Sequence, residues 1–113
     1  AEATTANVYV VRDRVLSTPP LDAGILRGTT RTRILALCAA HDIPARETRL
    51  RPEDLEAGEE VFVSSSVRGI LPVVSVDGRN VGDGRPGPVT RRVHDLFEAA
   101  ADEEARRSAR AMQ

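Results

Sequence analysis

The chain has 113 residues, of which 41% are hydrophobic but only 3% aromatic, so we expect one domain with an aliphatic core. Its net charge of −1, with arginines and acids mixed along the chain, argues against nucleic-acid or membrane partners. The single cysteine, Cys38, excludes an intramolecular disulfide and a cysteine-rich zinc site, and we predict no metal. Because no run of about 18 apolar residues occurs, we expect a cytoplasmic protein without a membrane-spanning helix.

The basic residues are all of one kind. Each of the 16 is arginine, and the chain contains no lysine. Arginine keeps its charge and does not act as an amine nucleophile. Any chemistry that needs a lysine amine must therefore draw it from outside this chain.

The first half of the chain is predicted to form two strands, a helix and an extended segment. β-Branched and aromatic residues indicate a strand over 7–12, and a short turn leads to a returning strand over 15–18. Apolar spacing predicts a helix over 29–41, which ends before Pro44 because the residue preceding a proline avoids helical dihedral angles. Residues 45–50 are expected to be extended.

The second half is predicted to contain two apolar strands between two helices. Proline and acids at its start and a glycine at its end indicate a short helix over 52–58. A buried strand is expected over 60–64 and a second apolar run over 70–76, where Pro72 suggests an edge strand or an irregular entry. After a glycine- and proline-rich loop over 82–88, a final helix begins. Its apolar positions are Val93, Leu96, Phe97 and Ala100.

The stretch from Leu26 to Arg31 has the chemistry of an anion site. Gly28 allows close backbone approach, and Thr29 and Thr30 offer amides and hydroxyls at a helix start, where the helix dipole favours phosphate. An ordinary capped helix is the alternative, because threonine is also a good N-cap residue.

Seven ordered motifs resemble the carboxy-terminal part of fold-type IV pyridoxal-phosphate enzymes, over roughly residues 1–98. These enzymes include branched-chain aminotransferases, D-amino-acid aminotransferases and aminodeoxychorismate lyases. The resemblance implies an α+β fold, the C-terminal pseudo-barrel domain of the D-amino-acid aminotransferase-like fold, incomplete at its N-terminus. We expect the cofactor domain to cover 1–101 and a charged helical tail to cover 102–113. The motifs are Glu2–Asn7, Thr18–Leu21, Gly28–Arg31, Glu60–Ser66, Leu71–Val73, Asp77–Gly78 and Gly82–Thr90.

The resemblance also implies which residues hold pyridoxal 5′-phosphate. Glu2 matches the catalytic acid that pairs with the pyridine nitrogen and keeps it protonated, and Leu26 matches a residue that packs on the ring. Without the resemblance, Glu2 would be interpreted as a solvated charge and Leu26 as a core leucine. The cofactor-binding set is Glu2, Leu26, Gly28, Thr29, Thr30, Ser65 and Ser66.

A substrate-binding segment is implied after the strand that begins at Glu60. The backbone of Ser66 and Val67 resembles the family segment that holds the substrate carboxylate, and Arg68 is a candidate partner for that carboxylate. Ser65-Ser66 replaces the glycine-threonine pair that is common in the family. The alternatives are a polar loop for these serines and a surface role for Arg68.

The resemblance therefore implies an aminotransferase or lyase that acts on amino and keto acids, and is typically a homodimer. It places the catalytic lysine upstream of Glu2, in a segment or complementary chain that this sequence does not contain. A non-catalytic fragment, or one half of a split enzyme, is the alternative. A nucleotide-binding module of unrelated role is a weaker one, because neither a P-loop nor a dinucleotide fingerprint is present.

Overall fold

The computed structural model describes residues 6–20, 29–65 and 68–111. In this part of the chain, seven strands and three helices alternate irregularly. The elements are β1 (Ala6–Arg12), β2 (Val15–Thr18), α1 (Thr29–Ala40), β3 (Ala45–Glu47), α2 (Pro52–Ala57), β4 (Glu60–Ser65), β5 (Gly69–Val73), β6 (Ser75–Val76), β7 (Arg79–Asn80) and α3 (Pro88–Ala111).

Five strands form one mixed sheet in the order β3-β2-β1-β4-β5. The strand β1 lies at its centre and pairs antiparallel with β2 and β4, whereas β2 and β3 are parallel. Asp13 and Arg14 join β1 to β2 with positive φ angles of 53° and 66°, as a tight hairpin turn requires. The mixed sheet and its helices confirm the predicted α+β class.

Alternating residues of the central strands face two separate clusters. Tyr9 of β1 stacks on Phe62 of β4, with ring centroids 4.5 Å apart, and both rings are fully buried. Ile34 of α1 and Val93 of α3 belong to the same cluster, which also contains the buried Cys38. On the other face, Val10 joins a smaller cluster with Val61 and Val81, and Leu55 of α2 packs against it. The core is largely aliphatic, as predicted, but it includes the stacked rings of Tyr9 and Phe62.

The predicted single strand over 70–76 is wrong in one respect. The structure divides it at Val74 into β5, the edge strand of the large sheet, and β6, which pairs with β7. The turn at Asp77 and Gly78 causes this division, because it folds β7 back onto β6. Pro72 lies in the edge strand, as predicted.

A buried carboxylate fixes the start of α3. Glu60, at the start of β4, accepts hydrogen bonds from the backbone N–H groups of Thr90 (2.7 Å) and Val89 (3.2 Å). A side chain at position 87 would overlap that of Glu60, which accounts for Gly87. The carboxylate therefore satisfies the first amides of α3 and joins the helix to the sheet.

The charged end of α3 is helical to Ala111. Glu103 forms ion pairs with Arg106 and Arg107 one turn later, and Glu104 forms an ion pair with Arg33 of α1. Within the described residues, neither long helix has the length and apolar character needed to cross a bilayer.

Candidate functional site

The start of α1 lies against the end of β4. The Thr30 hydroxyl donates a hydrogen bond to the backbone carbonyl of Ser65 at 3.5 Å, and Thr30 is buried. This contact brings together two residues that the sequence assigned to cofactor binding, although 35 positions separate them along the chain. The candidate site is therefore a helix start beside a strand end.

Ser65 also organises the turn from β4 to β5. Its hydroxyl oxygen accepts a hydrogen bond of 3.0 Å from the backbone N–H of Arg68, whose side chain is exposed. Accepting this bond leaves the hydroxyl proton of Ser65 available for donation. The side chain thus stabilises the turn and can still bind an anion.

The first turn of α1 contains a guanidinium whose burial the sequence did not predict. Arg31 is 4% exposed, and its Nη2 donates to the Pro19 carbonyl (3.0 Å) and to the Glu47 carboxylate (2.9 Å). Within the described residues, its buried Nε has no hydrogen-bond partner. The signal in the sequence is an arginine directly after two threonines at a predicted helix start.

A tyrosine supports the β4 side of the site. The Tyr9 hydroxyl lies 2.7 Å from the Ser64 hydroxyl, and both residues are fully buried. Burial raises the pKa of Tyr9, while the hydrogen bond with Ser64 and the charge of Arg31 act in the opposite direction. Tyr9 is therefore protonated at neutral pH, and it shares a hydrogen bond with Ser64, the residue before Ser65.

The electrostatics of the α1 start favour an anion. The first turn of α1 contains no acidic residue. The backbone N–H groups at a helix start and the positive end of the helix dipole attract negative charge, and buried Arg31 adds a full positive charge nearby.

Several predicted site residues lie outside the described residues. These are Glu2, Leu26, Gly28, Ser66 and Val67. Of the remaining four, Thr30 and Ser65 are in contact, Arg68 joins them through the turn, and Thr29 is the first residue of α1. Their assignment to cofactor and substrate remains a prediction.

Metal chemistry finds no support in the described residues, which contain no group of three potential metal-ligating side chains. Burial raises the pKa of the Cys38 thiol, so this side chain is protonated and unreactive at neutral pH.

Comparison with known proteins decides the family. A family model described as amino-transferase class IV matches residues 1–76. The chain belongs to this family. All the predicted cofactor- and substrate-binding residues, from Glu2 to Arg68, fall within the matched segment.

Relatives of known structure agree with this class IV assignment. The branched-chain amino acid aminotransferase of Escherichia coli is 44% identical, with a TM-score of 0.79 over 83% of this chain and 31% of that one. An aminotransferase from Brucella abortus, bound to the cofactor PLP, is 30% identical with a TM-score of 0.79, over 87% and 34%.

A curated relative, the D-alanine aminotransferase of Bacillus licheniformis, is 36% identical over 86% of this chain and 34% of its own length. The chain thus spans about a third of the length of the relatives that it matches. These likenesses confirm the resemblance and the fold class that the motifs predicted.

Proposed function

We propose that the full-length protein is a pyridoxal 5′-phosphate-dependent aminotransferase, and that this chain forms the phosphate end of its cofactor site. The observation that carries the proposal is the start of α1, whose first turn contains no acidic residue, bonds Ser65 through Thr30 and includes the buried Arg31. Family membership supports the same assignment, as does the cofactor of the Brucella relative.

The residues present fit the phosphate. The amides of Thr29 and Thr30 would hold it as helix starts hold other anions, and the Thr30 hydroxyl, which donates to the Ser65 carbonyl in this structure, would turn its proton to the phosphate. Thr30 of α1 contacts Ser65 at the end of β4. Ser65 and Ser66 would add their hydroxyl groups to the phosphate site there. When bound, the cofactor withdraws electrons from the substrate Cα, and the Glu2 carboxylate would hold the proton on its pyridine nitrogen. Gly28 would allow close backbone approach, and Leu26 would pack on the ring.

We propose α-amino acids and 2-oxo acids as the substrates. The backbone of Ser66 and Val67 would bind the carboxylate, and Arg68 would supply a positive charge at the rim. Relatives named D-alanine aminotransferase and branched-chain-amino-acid aminotransferase favour transamination over lyase chemistry, and substrates with small or aliphatic side chains.

The active site needs groups from beyond this chain. Because the sequence contains no lysine, the amine that handles the Cα proton would come from another segment of the full-length protein. We also propose a cytoplasmic homodimer, which sedimentation of the full-length protein would test.

Comparing two forms of the cofactor tests the phosphate assignment. In the full-length protein, Thr30→Val removes one hydrogen bond to an anion, so the Kd for pyridoxal 5′-phosphate should rise about tenfold. The Kd for pyridoxal, which lacks the phosphate, should stay unchanged. Thr90→Val is the matched control, because Thr90 is also buried near a helix start but should change neither value. Absence of pyridoxal 5′-phosphate binding by the unmodified protein would reject the proposal.

Product analysis tests the reaction class. With D-alanine or a branched-chain L-amino acid as donor, a transaminase should form a 2-oxo acid only when a second 2-oxo acid accepts the amino group. Release of product without an acceptor would indicate a lyase instead.

A further inference from the structure

We infer that Arg31 is a positioning residue for the phosphate end of the cofactor, an inference that rests on the proposed function. The observation is a guanidinium in the first turn of α1 with a side chain 5% exposed, held by two strand ends. It acts on the phosphate through the helix start rather than by direct contact.

Arg31 ties α1 to one side of the sheet. Its Nη2 reaches the carbonyl of Pro19, the residue directly after β2, and the carboxylate of Glu47, the last residue of β3. These two bonds, at 3.0 and 2.9 Å, come from one planar group. The ammonium group of a lysine, on a flexible stem, does not hold two N–H groups in the same fixed directions.

Thr30 ties the same turn to the other side of the sheet. Its hydroxyl bonds to Ser65 at the end of β4, and β4 and β2 flank the central strand β1. Two consecutive residues therefore fasten the first turn of α1 on both sides of β1. This arrangement fixes the direction of the helix amides, which is the property that an anion site at a helix start requires.

The charge of the Arg31 guanidinium also favours an anion at the start of α1. Among residues 6–20, 29–65 and 68–111, the Nε–H finds no hydrogen-bond partner, and the carboxylate that pairs with the guanidinium, that of Glu47, is half exposed. Solvent screens the negative charge of Glu47 but screens the positive charge of the buried guanidinium poorly. Glu47 therefore offsets only part of the charge of Arg31. The helix start therefore keeps positive character that a bound dianion would balance.

Substitution of Arg31 in the full-length protein tests the inference. For Arg31→Met, we expect the Kd for pyridoxal 5′-phosphate to rise at least about tenfold while the Kd for pyridoxal stays unchanged. Arg31→Lys keeps the charge but loses the planar guanidinium. It should raise the Kd for pyridoxal 5′-phosphate about three- to tenfold and leave the Kd for pyridoxal unchanged. This milder variant decides the question if Arg31→Met does not fold.

Arg33 provides the control on the same helix. Its guanidinium is half exposed and pairs with Glu104 of α3, so Arg33→Met should leave both Kd values unchanged. Parallel rises for both cofactor forms in the Arg31 variants would indicate a merely structural role and overturn the inference, as would unchanged binding in Arg31→Lys. If the unmodified protein itself does not prefer pyridoxal 5′-phosphate over pyridoxal, the proposed function fails instead.

Discussion

The two long helices begin in opposite electrostatic environments. At the start of α3, the carboxylate of Glu60 accepts the N–H groups of Val89 and Thr90 from within the fold. At the start of α1, the first turn contains no acidic residue, and it includes the Thr30 hydroxyl and the guanidinium of Arg31. The first helix turn of α3 therefore binds a carboxylate of the protein, whereas the first turn of α1 presents groups that attract an anion.

This difference separates a structural helix start from a binding one. A buried helix end needs partners for its first amides, and a carboxylate from a neighbouring strand supplies them permanently at α3. A site for an exchangeable anion must instead lack that carboxylate, because a fixed negative charge would compete with the ligand and repel it. By this criterion α1, and not α3, is suited to bind phosphate.

The largest effect is expected from removing the anion of α3. Glu60→Ala leaves two amides without their charged acceptor in a buried place, so we expect a loss of about 3 kcal/mol in the free energy of unfolding. Urea denaturation of the full-length protein measures it. Acetate should restore part of the loss, because the substitution gives α3 an anion-deficient start like that of α1.

Glu59→Gln is the control for this substitution. Glu59 is exposed and accepts a hydrogen bond from the backbone N–H of Asp13, so its loss of charge should change stability by less than about 0.5 kcal/mol. Equal losses in the two variants would contradict the structural role assigned to Glu60.

A smaller effect is expected on the α1 side, at Tyr9. Tyr9→Phe removes the hydrogen bond with Ser64 and leaves that hydroxyl buried, which should cost about 1 kcal/mol. The raised pKa of Tyr9 means that the unfolded state loses the proton first as pH rises. Stability should therefore fall above about pH 10 in the unmodified protein, and this part of the fall should vanish in Tyr9→Phe.

Denaturation at a series of alkaline pH values measures this effect. The loss that begins near pH 9 should persist in Tyr9→Phe, because burial also raises the pKa of Cys38 and this thiol is still present. An unchanged profile above pH 10 would contradict the burial of the Tyr9 hydroxyl.

The smallest effect is expected far from both helix starts. Glu103 is exposed on α3, and its hydrogen bond with Arg106 lowers its pKa. Because solvent screens exposed ion pairs strongly, Glu103→Gln should leave both the melting temperature and cofactor affinity unchanged within error. A clear loss of either would extend the functional region to the tail of α3.

The sequence predicted the elements whose signals are local. The short turn between the strands over 7–12 and 15–18 and the final helix after the loop over 82–88 were predicted, and the structure confirms them. The helix over 29–41 was predicted from its apolar spacing, and α1 covers Thr29–Ala40.

The roles of Glu60 and Arg31 were not predicted, because each depends on contacts between distant parts of the chain. Glu60 meets residues 29 and 30 positions away, and the side chain of Arg31 reaches 12 and 16 positions away. A charged residue at a strand or helix end ordinarily faces solvent, and only the assembled sheet shows that these two are buried. The break of the predicted strand at Val74 depends similarly on its pairing partner, β7.

The central claim is that a ligand phosphate supplies the anion at the start of α1. A crystal structure of the full-length protein with pyridoxal 5′-phosphate tests it most directly. We expect phosphate oxygens within about 3 Å of the backbone nitrogens of Thr29 and Thr30. A phosphate bound elsewhere, with a protein carboxylate on those two amides as Glu60 is on those of α3, would contradict the claim.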